Sequence, residues 1–155
     1  MVHTNQRRDG GAVKVLVAED DQVNRLVAMR SLEKLGCEVV VATNGAEAVM
    51  RFMTGSDFDL VLMDIQMPIM DGFDATRRIR MAENGASHVP VVALTALDFP
   101  ETKRKCAEAG MDGFAPKPLG FNTFMELLAE HVWPFRPQEE EEEPSAPELE
   151  ADLAD

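Results

Sequence analysis

The sequence predicts an α/β fold in which one parallel sheet is covered on both faces by helices, a doubly wound sandwich. Short apolar segments without polar alternation recur along the chain, and such segments are typical of strands that are buried on both faces. Segments with helical periodicity separate them, so that strands and helices alternate in βα units. Such units imply right-handed crossovers, but the pattern alone does not give the strand order. A chain of 155 residues, 45% of them hydrophobic, is long enough for one such domain with a core.

The segment at residues 60–63 is the one around which the others are arranged. Its four apolar residues predict a buried strand, and Asp64 stands at its carboxyl end. Pro68 and the Asp71-Gly72 pair interrupt the pattern, which predicts a loop after Asp64. The other four strands are predicted at residues 13–18, 38–42, 89–94 and 113–115.

Apolar residues at helical spacing predict a helix after each strand. The stripe that defines the first helix is Asn24, Val27, Ala28, Ser31 and Leu35, and Gly36 ends it. The stripe of the second helix is Ala46, Val49, Met50 and Met53, and that helix ends near Gly55.

The remaining three helices have different surfaces. The third, at residues 73–80, is expected to have a solvated face made of Arg77, Arg78 and Arg80. The fourth, at residues 100–109, has a weak apolar stripe around Cys106 and Ala109, so it should pack lightly. The fifth is marked by Phe121, Phe124, Leu127 or Leu128, and His131, and Pro134 stops it.

Charge and composition divide the chain into a folded part and two ends. We expect a flexible leader at residues 1–11, one domain at residues 12–135 and an acidic, disordered tail at residues 136–155. Nine acidic residues and no Lys or Arg lie in residues 137–155, so removing them from the net charge of −13 leaves −4. An apolar run of membrane-spanning length and a signal peptide are both missing, which predicts a cytoplasmic protein without membrane contact. No nucleic-acid partner is predicted, and Cys37 and Cys106 are expected to be structural thiols.

Reactive side chains follow four of the predicted strands: Glu19 and Asp20, Asp64, Thr95, and Lys117. Because the carboxyl ends of parallel strands meet at one edge of a sheet, these groups should share one crevice. Clustered carboxylates repel one another and call for a cation, and a hard divalent ion such as Mg²⁺ prefers oxygen ligands. A metal, an ammonium and a hydroxyl around one carboxylate suit phosphoryl transfer, with Asp64 as the nucleophile.

Four motifs in this order resemble those of the response-regulator receiver domain of two-component signalling, over about residues 13–133. They are Val15 to Asp20, Leu62 to Gly72, Ala93 to Ala96, and Lys117 to Leu119. The resemblance implies a flavodoxin-like fold with strand order 2-1-3-4-5. It also implies a phosphohistidine donor, either a histidine kinase or a histidine phosphotransfer protein. The segment from Glu19 to Arg25 is similar to receivers of hybrid histidine kinases, although Asp21 replaces the usual Asn.

The same resemblance implies a role for each matching residue. Asp64 corresponds to the phosphoacceptor and Thr95 to the switch hydroxyl. Lys117 corresponds to the lysine that pairs with the phosphate, and its bond to Pro118 should be cis. Phe114 corresponds to the switch aromatic, where Tyr is more frequent. Magnesium would be held by Glu19, Asp20, Asp64 and the backbone carbonyl of Gln66.

Phosphorylation is then expected to remodel the face made by the fourth helix, the fifth strand and the fifth helix, where a downstream protein would bind. Such a domain is a signalling module and not an enzyme, although it assists its own phosphorylation and dephosphorylation. Two alternatives stay open. One is a degenerate receiver that serves as a docking module without phosphorylation. The other is an aspartyl-phosphate phosphotransferase, which Gln66 argues against because an acid or base would be expected there. A stand-alone receiver and a piece of a hybrid kinase both fit the sequence.

Overall fold

The computed structural model describes residues 10–132 except 56 and 98. The expected acidic tail, most of the expected leader and the stop at Pro134 lie outside the described residues, so those expectations stay predictions. No helix of the described part is both long and apolar enough to cross a membrane.

Five parallel strands form one sheet in the order β2-β1-β3-β4-β5, as the resemblance implies. The strands are β1 (Lys14–Ala18), β2 (Glu38–Ala42), β3 (Leu60–Asp64), β4 (Val91–Thr95) and β5 (Gly113–Pro116). In the register, Ala18 lies beside Met63, Asp64 beside Leu94, and Thr95 beside Pro116. The strand ends are therefore level with one another, and the residues that follow them emerge along one edge.

Two hydrophobic clusters cover the two faces of the sheet. The helices are α1 (Gln22–Lys34), α2 (Gly45–Thr54), α3 (Gly72–Glu83), α4 (Pro100–Ala109) and α5 (Phe121–His131). One cluster joins the sheet to α1 and α5 through side chains such as Leu32 and Phe124. The other joins it to α2, α3 and α4 through side chains such as Ala48, Ile79 and Cys106. This confirms the doubly wound α/β sandwich.

Several strand and helix boundaries differ by one to three residues from the predicted ones, and the structure defines the start of α1, which the sequence left open. β4 begins at Val91 and not at 89, because Pro90 has no N–H and the N–H of Val89 donates to Glu83 Oε2 at 2.6 Å. α1 begins at Gln22 because Asp21 caps it, accepting a hydrogen bond from the N–H of Asn24 at 2.8 Å. α3 continues to Glu83, beyond the predicted residue 80.

The apolar stripes of the first two helices were partly wrong. Ala28 and Ser31 are buried in α1 as predicted, but Asn24 and Val27 are exposed, and α1 also buries Leu32, which the predicted stripe left out. In α2, Met50 and Met53 are exposed, whereas Gly45 and Ala48 are buried. Gly45 explains the rotation of α2: its N–H donates to the carbonyl of Met70 at 3.0 Å, and a Cβ there would lie 2.2 Å from that oxygen. This contact turns Ala48, three residues later, toward the core. The weak stripe of α4 is confirmed, since Thr102, Cys106 and Ala109 are its buried residues.

The expected solvated arginine face of α3 was wrong for Arg80. Arg77 and Arg78 are exposed, but the Arg80 side chain is only 17% exposed. Its guanidinium donates to Glu83 Oε1, Asp112 Oδ2 and the carbonyls of Val89 and Gly110, at 2.7–2.9 Å. These acceptors lie up to 32 residues away in sequence, and helical spacing alone does not reveal them. Arg80 therefore joins α3, the linker before β4 and the loop between α4 and β5.

Candidate functional site

The carboxyl edge of the sheet brings together the side chains that the sequence assigned to strand ends. Asp64 and Thr95 are the last residues of β3 and β4. Glu19 directly follows β1, and its N–H donates to the carbonyl of Ala42 on β2 at 3.0 Å. Lys117 follows β5, and its N–H donates to the carbonyl of Thr95 at 2.8 Å. The peptide bond between Lys117 and Pro118 is cis, as expected from the resemblance.

Lys117 forms the centre of the contacts within this cluster. Its Nζ lies 2.8 Å from Glu19 Oε1 and 3.2 Å from Asp64 Oδ2. Glu19 is 2% exposed and Asp64 is 5% exposed, so both carboxylates have lost most of their hydration. A buried charge needs a partner of opposite sign, and the ammonium of Lys117 provides one for the pair.

One ammonium does not neutralise the site. The pKa of Asp64 is raised to about 7, mainly by burial and then by the negative charge of Glu19, while Lys117 acts in the opposite direction. Burial by itself would lower the pKa of Lys117. The hydrogen bond to Glu19 and the charges of Asp64 and Glu19 outweigh burial, so the pKa of Lys117 is raised. The negative charge at this edge therefore exceeds what Lys117 compensates.

Asp20 completes a group of three carboxylates. Single carboxylate oxygens of Glu19, Asp20 and Asp64 all lie within 4.8 Å of one another. Glu19 and Asp64 are buried, whereas Asp20 is exposed at the rim. Closely spaced carboxylates that are only partly neutralised, with one side open to water, fit a hard divalent cation such as Mg²⁺, which binds few carboxylates and keeps several waters.

Arg25 and Asp21 hold the turn that carries Glu19 and Asp20. The sequence analysis did not predict the hydrogen bonds by which they do so. Arg25 Nη1 donates to the backbone carbonyls of Glu19 and Asp20 at 2.9 and 3.3 Å. The N–H of Asp21 donates to Glu19 Oε2 at 3.1 Å, while its carboxylate caps α1. The spacing of Arg25, five and six residues after the two acids, is the only sequence signal for this contact.

Thr95 and Phe114 lie near the cluster but make other contacts. Thr95 is 2% exposed, and its Oγ1 accepts a hydrogen bond from the N–H of Leu97 at 2.9 Å. Phe114 lies on β5 beside Ala93 and is half-buried. The Nζ of Lys103 on α4 stands 5.4 Å from the centre of its ring, within the range of a cation–π contact. The Phe114 ring therefore lies beside α4, and Thr95 ends the strand that precedes α4 in the chain.

The loop after Asp64 carries Gln66, which is exposed and two residues beyond the central carboxylate. The loop closes where the N–H of Gly72 donates to the carbonyl of Ile65 at 2.8 Å. A Cβ on Gly72 would lie 2.2 Å from the carbonyl oxygen of Asp64, so this position requires glycine. A groove of about 560 Å³ runs from Asp20 and Gln66 to Lys105 on α4. The site is therefore open on the side of α3 and α4.

Comparison with known proteins identifies one family over most of the chain. A family model described as the response regulator receiver domain matches residues 15–129. Histidine kinase 3 of Arabidopsis thaliana is 40% identical over 125 residues, which cover 68% of this chain and 12% of that protein. The sensory/regulatory protein RpfC of Xanthomonas campestris is 39% identical over 120 residues, which cover 77% of this chain and 16% of that protein. The chain thus spans less than a fifth of the length of these two relatives.

Solved structures agree with this match. A chemotaxis response regulator of Vibrio cholerae superposes with a TM-score of 0.73 at 29% identity, covering 77% of this chain and 98% of that one. The receiver domain of a sensor histidine kinase from Pseudomonas aeruginosa superposes with a TM-score of 0.70 at 34% identity, covering 77% and 97%. That crystal structure has a magnesium ion coordinated in the active-site cleft.

Proposed function

Because this chain belongs to the response regulator receiver domain family of two-component signalling, we propose that Asp64 accepts a phosphoryl group from a phosphohistidine. The donor is a histidine kinase or a histidine phosphotransfer protein, and the chain acts as a signal receiver in a phosphorelay. The observation that carries the proposal is the position of Asp64, which is 5% exposed, 3.2 Å from Lys117 Nζ, and grouped with Glu19 and Asp20.

The transfer forms one bond and breaks one. A carboxylate oxygen of Asp64 attacks the phosphorus, the bond from phosphorus to the imidazole nitrogen breaks, and that nitrogen keeps the electron pair. Asp64 becomes an acyl phosphate. Negative charge spreads over the phosphoryl oxygens in the transition state, and Lys117 Nζ is already close enough to Asp64 to pair with them.

A divalent cation fits the acidic group and belongs to the proposal. Glu19, Asp20, Asp64 and the backbone carbonyl of Gln66 would hold Mg²⁺, which would supply positive charge to the phosphoryl oxygens. The charge count supports this assignment, because three closely spaced carboxylates share the one ammonium of Lys117. The exposure of Asp20 leaves a path for the ion from solvent.

The readout of the phosphoryl group would pass through Thr95 and Phe114. New phosphoryl oxygens attract the Thr95 hydroxyl, whose present hydrogen bond is the one it accepts from Leu97, and Thr95 would vacate space that the Phe114 ring can enter. The Phe114 ring contacts Lys103 on α4, and Thr95 lies five residues before this helix, which buries only three residues. The α4-β5-α5 face is therefore the surface where we expect a downstream protein to bind.

Intact mass spectrometry tests the phosphoacceptor directly. The chain is incubated with acetyl phosphate and Mg²⁺, and the expected gain is one phosphoryl group. Asp64→Asn and addition of EDTA should each abolish the gain. Asp74→Asn is the matched control, because Asp74 is exposed on α3 and pairs with Arg77, so it should leave the gain unchanged. Wild-type chain that gains no mass and binds no Mg²⁺ would contradict the proposal and favour a docking module.

A further inference from the structure

The tip of the loop after Asp64 holds a side chain in an unusual backbone conformation. Ile69 has a φ of +72°. The N–H of Met70 donates to the carbonyl of Pro68 at 2.7 Å, which closes a three-residue γ-turn around Ile69. A positive φ is uncommon for any residue with a Cβ, and it is a true outlier for a β-branched one. Ile is therefore among the least suitable residues for this turn.

Contacts on both sides of the turn keep Ile69 in this conformation. Gly45 donates its N–H to the carbonyl of Met70, and Gly72 donates its N–H to the carbonyl of Ile65. Both glycines approach so closely that a Cβ on either would lie 2.2 Å from a backbone oxygen. The loop is thus fixed by its neighbours and not by Ile69.

Packing of the Ile69 side chain does not offset this backbone strain. It is 81% exposed and belongs to neither hydrophobic cluster of the described residues. Glycine or asparagine would suit the backbone better, and neither would leave a large apolar group in water. Strain that persists without a structural benefit points to a function outside the fold.

The position of Ile69 near Asp64 indicates a function in contact with the phosphoryl donor. Ile69 is three residues from Gly72, so it lies at most about 10 Å from it along the chain. Gly72 packs against the carbonyl of Asp64. A typical protein contact area of about 800 Å² per partner has a radius of about 16 Å, so Ile69 falls within the footprint of a protein whose contact is centred on Asp64.

We propose that Ile69 is a specificity-determining contact for the protein that donates the phosphoryl group. This inference rests on the proposed function of Asp64. The side chain of Asp64 is only 8% exposed, so a donor protein must approach over the loops around the site, and one of these is the loop that lines the groove with Gln66 and Pro68 and carries the exposed Ile69. A small donor such as acetyl phosphate reaches Asp64 without touching that rim. Ile69 thus affects the binding of a protein donor and not the phosphoryl-transfer step itself.

The test compares two donors on the same variants of the full chain. One donor is acetyl phosphate, and the other is a radiolabelled histidine phosphotransfer protein that phosphorylates the wild-type chain. For Ile69→Gly and Ile69→Asn we expect a rise in the apparent KM of the protein donor of about 10-fold, an unchanged kcat and an unchanged rate with acetyl phosphate. Both variants should also raise Tm, by about 5 °C, because they relieve the strained turn. Ile69→Leu keeps a large apolar side chain, so its apparent KM for the protein donor should stay close to that of the wild-type chain.

Met81→Ala is the control for loss of an exposed apolar side chain, because Met81 is 75% exposed near the other end of α3. It should leave both donors unaffected. Equal slowing of both donors by the Ile69 variants would show that Ile69 shapes the site itself, and would overturn the inference. Unchanged transfer from the protein donor would also overturn it. Failure of the wild-type chain to accept a phosphoryl group from either donor would instead reject the proposed function.

Discussion

Arg80→Met is the substitution for which the structure gives the clearest quantitative expectation. The change keeps an apolar chain but removes a guanidinium that makes four hydrogen bonds. The side chain of Glu83 is 3% exposed and would lose its cation, and breaking a buried ion pair in this way costs about 3–5 kcal/mol. Glu83 keeps the N–H of Val89, and Asp112 is 30% exposed and keeps the N–H of Val91. These remaining contacts lower our expectation to about 2–4 kcal/mol.

Urea unfolding followed by circular dichroism measures this free energy, and Arg77→Met is the matched control on the same helix. Arg77 also pairs with a carboxylate, at 2.7 Å from Asp74, but the two side chains are 52% and 59% exposed. Exposed pairs contribute little, so we expect a loss of about 0–0.5 kcal/mol for the control. Similar losses for the two variants, at unchanged m-values, would refute the reasoning that burial decides the cost.

Three further outcomes follow from the site. Gly72→Ala should destabilise the fold by about 2–4 kcal/mol, because its Cβ would meet the carbonyl of Asp64. Gly120→Ala is the control, since a Cβ there has nothing within 4 Å, and it should cost about 0.5 kcal/mol or less in the same urea assay. Lys117→Met should slow phosphorylation by acetyl phosphate at least about 10-fold in a mass-spectrometric time course, since it removes the only cation in contact with Asp64 among the described residues. Lys105→Met is the control, because Lys105 is an exposed residue of the groove, and it should leave this rate unchanged. Excess Mg²⁺ should raise Tm of the wild-type chain and raise it less in Asp20→Asn, as measured by calorimetry with and without EDTA.

The sequence predicted that the strand-end side chains lie at one edge, because of the geometry of parallel sheets. Glu19, Asp64, Thr95 and Lys117 are far apart in the chain, yet each ends or follows a strand. Once the strands are parallel and level, those positions fall on one edge. The fold class and the five strands are confirmed by this route, and Lys117 lies beside Glu19 and Asp64 at the predicted edge, while the roles of the site residues stay predictions. The strand order needed the family resemblance, because alternation of strands and helices is compatible with several orders.

The rotation of the helices was harder to predict because it depends on backbone contacts with distant loops. The spacing in α2 selects Met50 and Met53 as well as it selects Ala48. Only the close approach of Gly45 to the carbonyl of Met70 decides between them, and sequence periodicity carries no sign of that contact. Side-chain hydrophobicity therefore predicts that a helix is amphipathic more reliably than it predicts which residues are buried.

Arg80 was missed for a related reason, and its position affects how α4 can respond to the site. The carboxyl end of α4 is tied to α3, because Arg80 donates to the carbonyl of Gly110 and to Asp112. The amino end of α4 has no side-chain cap, and its N-cap Phe99 is 59% exposed. That end is also the one that follows Thr95 in the chain. A displacement of α4 that starts at the phosphoacceptor edge would therefore begin at the amino end of the helix, with Gly110 as the pivot. Loss of Arg80 would loosen this pivot. The distances among Glu19, Asp20 and Asp64 would stay unchanged.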